Sequence, residues 1–398
     1  MSVKGIQKLL SDQFLSSWEE LIDFGRLRRY RTERVVSALK RAGLQGFISF
    51  KSDNIRYISS IRPITWEAGH LTRNIVLTDS NGKISLFVAS GDFQRVKQND
   101  PWLTNVKPLA SMEDAGISSN VVADQLIPEL ASMGLLGSKL GLDSTTFYTI
   151  EAVRRTLESM GCTLVDGDDV LRDARKIKSS DEVRLLRGSA AMVDAGIEAT
   201  RDGIESGRSE NEIAGAALRT MYALGTEWMP SNPSVCSGRG PPRHFSTEKV
   251  VKEGENVVVD LSATNDGYCT RASRTFVAGK ATSGREAVRE FRSLYESALL
   301  KMNPGRSLRE VMSDFVDAAH GKYLEPRLSF SGQGLSLIDA PYLSGMEGAE
   351  DERLEENMVV NVAARARDSE GRTFEISDVV HITGSGPIQL TRYQEDLD

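Results

Sequence analysis

Four β-patterned stretches crowd into the second half of this 398-residue chain: NVVVDLSAT (256–264), CTRASRTFVAG (269–279), MVVNVAARA (358–366) and FEISDVVHIT (374–383). Helical patterns at 284–301 and 307–321 lie between them, and two long helical patterns precede them, running through about residue 224. A parallel doubly wound sheet needs strand and helix in strict alternation. Paired helices followed by bunched strands call for an α+β arrangement instead. The first half does alternate. Residues 28–43 place Val35, Val36 and Leu39 on one helical face and stop at Gly43. GFISF (46–50) reads as a strand, NIRYIS (54–59) as a second one, and 74–89 as a hairpin around Asn81-Gly82. A helix at 120–134, a strand at 138–143 and a helix at 147–160 follow. Residues 1–175 are therefore expected to form a small α/β domain and 176–398 an α+β domain. The charged segment 169–185 marks the boundary, with Ser180 and Asp181 as candidate helix caps.

The length suits two domains, and 40% hydrophobic residues give each a core to bury. The sequence contains no run of 18 apolar residues, which excludes a membrane-spanning helix. Its first 24 residues read as an amphipathic surface helix, not as a signal peptide. A net charge of -7 without a basic stretch argues against nucleic acid as the main partner. Cys162, Cys236 and Cys269 are odd in number and far apart, so a reduced, cytoplasmic protein is expected. Neither a tandem repeat nor a low-complexity segment is visible.

Several segments resemble the pita-bread family of methionine aminopeptidase, aminopeptidase P, prolidase and creatinase. KIKSSDEVRLLRGSAAMVDAGI (176–197) is similar to the approach to that family's catalytic domain. VKEGENVVVDLSATNDGYCTRASRTFVAGK (251–280) is similar to its strand–Asp–turn–strand segment and is the most specific match. LEENMVVNVAARA (354–366) and FEISDVVHIT (374–383) resemble its last strands, and DNIRYISSIRP (53–63) fits the accessory domain of the prolidase and creatinase branch. The resemblance implies a two-domain creatinase/aminopeptidase-like pita-bread fold, a homodimer, and a pocket between the C-terminal sheet and the 231–249 loop.

Peptidases of the family hold two metal ions through two Asp, one His and two Glu, a donor set suited to making hydroxide and polarising a carbonyl. Carried over residue by residue, Asp260 matches the first Asp, and Arg271, eleven residues on, stands at the second. Gln333 stands at the His, Ala363 at the first Glu and Ser377 at the second. One ligand of five survives, so the resemblance implies neither a metallopeptidase nor any cofactor. Creatinase uses the same cavity without metal, with a histidine on the preceding loop as acid–base group. His244 sits near that position, although Ser273 replaces creatinase's acidic residue before Arg274-Thr275.

Histidine changes charge near neutral pH without perturbation, which makes His244 a candidate proton shuttle as well as an ordinary loop residue. Asp260 ends an apolar run and needs a partner. Arg271 either pairs with it in place of a metal or grips a substrate carboxylate bidentately. Asp339 falls where many members carry a second histidine; it and Asp378 are candidate bases or capping groups. Gln333 offers a donor and an acceptor to a substrate. Strand alternation puts Arg365 on the face of Ala363, either inward or solvated at the strand end, and Glu375 lies beside the same cavity. Tyr268 and Cys269 read as packing. Arg62 and Trp66 either close over the partner subunit's pocket or pack at the dimer interface. The expectation is a metal-independent enzyme acting on a small polar metabolite, by C–N hydrolysis, elimination or rearrangement. Its rival is a binding module without chemistry.

Overall fold

In a computed structural model, residues 22–62, 74–109, 121–143, 147–205, 207–279, 282–344 and 352–393 are described. The expected N-terminal surface helix lies outside them. The chain divides into two compact units, Asp23–Arg175 and the residues from Lys176 on.

The first unit opens with α1 (Phe24–Arg41), whose Asp23 cap accepts a hydrogen bond from the Arg26 amide at 2.8 Å. Leu27, Arg31, Val35, Ala38 and Leu39 recur at helical spacing and are buried. Strand β1 (Gly46–Ser49) pairs antiparallel with β2 (Asn74–Asp79), which turns through Gly82 (φ 87°) into β3 (Ile84–Ala89). After a short helix, α3 (Phe93–Asn99), β4 (Val106–Leu109) joins β3 in parallel. A π-helical turn, Val122–Leu126, continues as α4 (Ile127–Ser132). Next come β5 (Lys139–Leu142), α5 (Phe147–Ser159), β6 (Thr163–Asp166) and α6 (Asp168–Lys176). The sheet order is β4-β3-β2-β1-β5-β6, with Ile48, Ile75, Leu77, Phe87, Leu126 and Leu140 in its core.

The strand expected at 54–59 is instead a helix, α2 (Ser52–Ser59). Ile55 and Ile58 are one helical turn apart, a spacing that a six-residue apolar run leaves ambiguous. The start of α2 is fixed from far away. Asp143, just past β5, accepts from the Phe50 amide (2.6 Å), the Ser49 hydroxyl (2.6 Å) and the Asn54 side-chain amide (2.5 Å). It also accepts from the amide of Lys51, the N-cap of α2, at 3.3 Å, which satisfies one orphan amide of the helix start and favours the helix over the strand.

The second unit begins with α7 (Ser180–Glu205) and α8 (Glu210–Ala223). The cap of α7 is Ser179 rather than Ser180 or Asp181. The Ser179 amide donates to Glu182 Oε2 at 2.7 Å, and the Glu182 amide donates back to Ser179 Oγ at 3.3 Å, a capping box. The strands are β7 (Ser234–Ser237), β8 (Asn256–Asn265), β9 (Tyr268–Val277), β10 (Leu324–Gly332), β11 (Asp339–Leu343), β12 (Val359–Arg367), β13 (Thr373–Thr383) and β14 (Gly386–Gln389). Between β9 and β10 lie α9 (Thr282–Leu299) and α10 (Leu308–Ala319). The sheet is antiparallel in the order β11-β10-β12-β13-β9-β8-β7, with β14 on β13.

Alternation gives this sheet two unlike faces. Val257, Val259, Leu261, Ala272 and Phe276 pack with α7 and α8, and Leu328, Phe330, Val360, Val362, Phe374 and Ile376 pack with α9 and α10. The intervening residues are mostly Ser, Thr, Asp, Glu, Asn and Arg, and they form the polar face that holds the site.

Candidate functional site on the polar face of the C-terminal sheet

Residues directly opposite on antiparallel strands share a face. One row runs across five strands in register: Asp260 on β8, Ser273 on β9, Ser377 on β13, Ala363 on β12 and Ser329 on β10. Arg271 lies two residues before Ser273 and opposite Ser262, on the same face. Glu375 lies two before Ser377 and opposite Arg365. Positions 260, 271, 363 and 377, remote in sequence, are thus gathered by strand register alone.

Asp260, 4% exposed, is held by the fork of Arg271. The guanidinium Nε donates to Asp260 Oδ1 at 2.7 Å, and Nη2 donates to Oδ2. Burial works to lower the Arg271 pKa, but the hydrogen bonds and charge of Asp260 outweigh it and hold the guanidinium above its ordinary value. A second pair repeats the pattern next door. Arg365 Nε and Nη2 meet Glu375 Oε2 at 2.8 and 2.6 Å. Burial pushes the Glu375 carboxyl up, Arg365 opposes that, and the neighbouring Asp260 charge adds to it. Between the two pairs the Ser273 hydroxyl donates to the Ser377 hydroxyl at 3.0 Å. Asn361 joins from β12, its side-chain amide donating to the Arg271 carbonyl at 2.8 Å.

Gln333 follows β10 and is 1% exposed. Its amide nitrogen is engaged internally, donating to the Leu337 carbonyl at 2.8 Å and to Ser331 Oγ at 3.3 Å. The expectation of a donor and an acceptor both free for a substrate is thereby corrected. Only Oε1 remains, buried and without a partner among the described residues. Asp339 begins β11, fully buried, and its Oδ1 accepts from the Ala340 amide at 3.1 Å. Of the two roles open to Asp378, base or bridging group, the structure shows the bridging one. Alternation turns it to the helix-packed face, where it pairs with Arg274 at 2.6 Å and accepts from Thr391 at 2.6 Å. Tyr268 and Cys269 are buried, with the tyrosine hydroxyl donating to Glu182 at 2.7 Å.

His244 is exposed on the loop after β7 and has a left-handed backbone (φ 61°), a conformation that strains a non-glycine residue. The loop around it is fixed. Glu210, fully buried at the start of α8, receives Arg243 at 2.5 Å, the Thr247 hydroxyl at 2.7 Å and the Ser237 amide at 2.7 Å. Burial would raise the Glu210 carboxyl, but these donors hold it below its usual value. In sequence Glu210 looks like any first-turn acid beside a capping box, and only its convergence with the loop reveals it as the anchor. In the other unit, Arg62 is exposed and its carbonyl accepts from Arg95 at 3.0 Å. Trp66 lies outside the described residues.

At the positions matching the family's metal ligands stand a carboxylate bound to a guanidinium, that guanidinium, an amide, a methyl group and a hydroxyl. This donor set does not fit a pair of divalent cations. Among the described residues no group of three or more His, Cys, Asp or Glu is arranged to hold a metal.

Comparison with known proteins agrees on the frame. The family model for metallopeptidase family M24 matches residues 184–384, and that for the creatinase/prolidase N-terminal domain matches residues 31–177. The putative dipeptidase YkvY of Bacillus subtilis is 26% identical over 92% of this chain and 99% of its own length. A dimethylsulfoniopropionate lyase, DddP of Roseovarius nubinhibens, is 23% identical over 98% of this chain and 92% of its own. The solved prolidase of Pyrococcus horikoshii superposes with a TM-score of 0.75 at 21% identity, covering 92% of this chain and 99% of that one. With half its length matched by the peptidase model and the accessory domain matched before it, the chain belongs to metallopeptidase family M24 and has the pita-bread fold.

Proposed function

We propose that this protein is a metal-independent enzyme acting on a small polar metabolite that carries a carboxylate. The observation that carries the reading is the bidentate Asp260–Arg271 pair, which occupies the first two metal-ligand positions with a fixed cation. Around it the polar face offers what a small charged substrate needs: guanidinium groups of Arg271 and Arg365, 34% and 37% exposed, and the Ser273–Ser377 hydroxyl pair. The lyase relative is named for dimethylsulfoniopropionate, itself a small carboxylate with a cationic centre. That supports the same substrate class and an elimination as readily as a hydrolysis.

His244 is the proposed proton shuttle, supported by its placement on a loop pinned by Glu210. In C–N hydrolysis, water's oxygen would bond to the substrate carbon and its proton would pass to His244. As the C–N bond breaks, the leaving nitrogen keeps the bonding pair and takes that proton. Asp260, Asp339 and Gln333 would orient the substrate or the water, Gln333 through its unpartnered Oε1. Mass spectrometry of products from guanidino acids, cyclic amidines, carbamoyl amino acids, sulfonium acids and Xaa-Pro dipeptides tests the reading. Turnover is expected for at least one compound and is expected to collapse in His244→Ala; turnover unaffected by that change sinks the shuttle.

One observation favours the alternative of a binding module. Asp260 and Glu375, the carboxylates nearest the centre, are both spent on arginines. Ligand binding without turnover across the panel would support that alternative.

A further inference from the structure

Two arginines of the polar face are neutralised in place, and a third beside them is not. Asp260 holds Arg271 and Glu375 holds Arg365, so those four charges cancel. Arg327 on β10 stands directly opposite Arg365 in the sheet, exposed. No described residue forms an ion pair with it within 4.0 Å. Like charges placed directly opposite across a strand pair repel.

Just before this juxtaposition the strand is irregular. Leu324 pairs with Arg367 and Arg327 with Arg365, so three steps along β10 match two along β12. The extra residue is a β-bulge, and inside it Glu325 is left-handed, with φ 49°. Arg327 is in unbroken register with Leu328–Gly332, so alternation sets it on the polar face with Ser329 and Ser331, opposite a guanidinium already fixed by Glu375. Arg367 pairs with Glu325 at 2.7 Å, which leaves the bulge's own acid satisfied and unable to neutralise Arg327.

We infer that Arg327 and Arg365 together form the seat of the substrate carboxylate, an inference that rests on the enzyme reading above. Arg327 brings a positive charge without an ion-pair partner beside Arg365, and planar guanidinium groups bind carboxylates through paired hydrogen bonds. Arg365, held by Glu375, is ordered before the ligand arrives, which lowers the entropy lost on binding. Arg271 then serves to neutralise Asp260, and the reacting end of the substrate lies toward the Ser273–Ser377 pair.

The test compares thermal melting of wild type and Arg327→Gln in sodium acetate and in sodium chloride at equal ionic strength. Acetate should raise the wild-type midpoint by about 2 °C more than that of Arg327→Gln. In chloride the variant should melt no lower than wild type, because it loses only a like-charged neighbour. An equal acetate response in both proteins overturns the seat. With a substrate found, Arg327→Gln should raise KM and leave kcat unchanged. An unchanged KM overturns the seat while the enzyme reading stands. An acetate response confined to wild type, with no turnover of any compound, supports the seat and counts against the enzyme reading alone.

Discussion

Arg271 occupies a position where the family's peptidases use an acid, and its fork leaves Asp260 fully bonded. Removing one partner of a buried pair strands the other, which costs more than the pair itself contributes. Arg271→Leu is therefore expected to destabilise the protein by about 3 kcal/mol in urea unfolding, with Asp260→Asn in the same chain recovering most of it. Non-recovery would show that Arg271 stabilises through packing and not through Asp260. A second residue gives a pH signature. Burial raises the Asp143 carboxyl to about 6, against the donors from Ser49, Phe50 and Asn54. The folded state then keeps a proton that the unfolded state loses from about pH 4 upward. Its contribution is complete below pH 4 and is lost as pH rises through about 6. Asp143→Asn should abolish that dependence, so that the gap between wild type and variant narrows by about 3 kcal/mol from pH 4 to pH 7. A gap independent of pH would refute the shift.

At the scale of elements, local signals were enough for the longest segments, but they did not mark β7, β10, β11 or β14. The four strands that crowd the second half, the hairpin at Gly82 and the helices of the polar-faced unit all lie where periodicity and turn residues put them. The helix at Ser52–Ser59 was not legible, because the carboxylate that starts it is 89 residues from Asn54. The site shows the same division. Strand alternation places Arg365 with Ala363, but it reveals neither the Glu375 partner geometry nor the pairing that sets Arg327 opposite Arg365. The loop bearing His244 depends on Glu210, a contact spanning 33 residues to Arg243. Glu210→Ala should speed hydrogen exchange in peptides from 238–249 and leave those of β12 and β13 unchanged. Uniform acceleration would mean that Glu210 supports the whole unit instead. Ser179→Ala should cost about 1 kcal/mol by removing the cap of α7; a variant as stable as wild type in urea would mean the cap contributes nothing.

At the scale of the whole molecule, an M24 framework carries a polar face on which, among the described residues, no group of three or more His, Cys, Asp or Glu is arranged to hold a metal. Two arginine–carboxylate pairs, Asp260–Arg271 and Glu375–Arg365, stand on that face. Such a face holds its charge without cofactor loading, and its electrostatics are built into the strand register. The account's central claim is that this face works without metal. It is tested most directly by treating the protein with EDTA, removing the chelator, and assaying turnover of the compound panel before and after adding manganese, cobalt or zinc. The expected result is the same turnover in the stripped protein as in the untreated one, and no gain on adding any of the three ions. Turnover that disappears with the chelator and returns with one of those ions would contradict it.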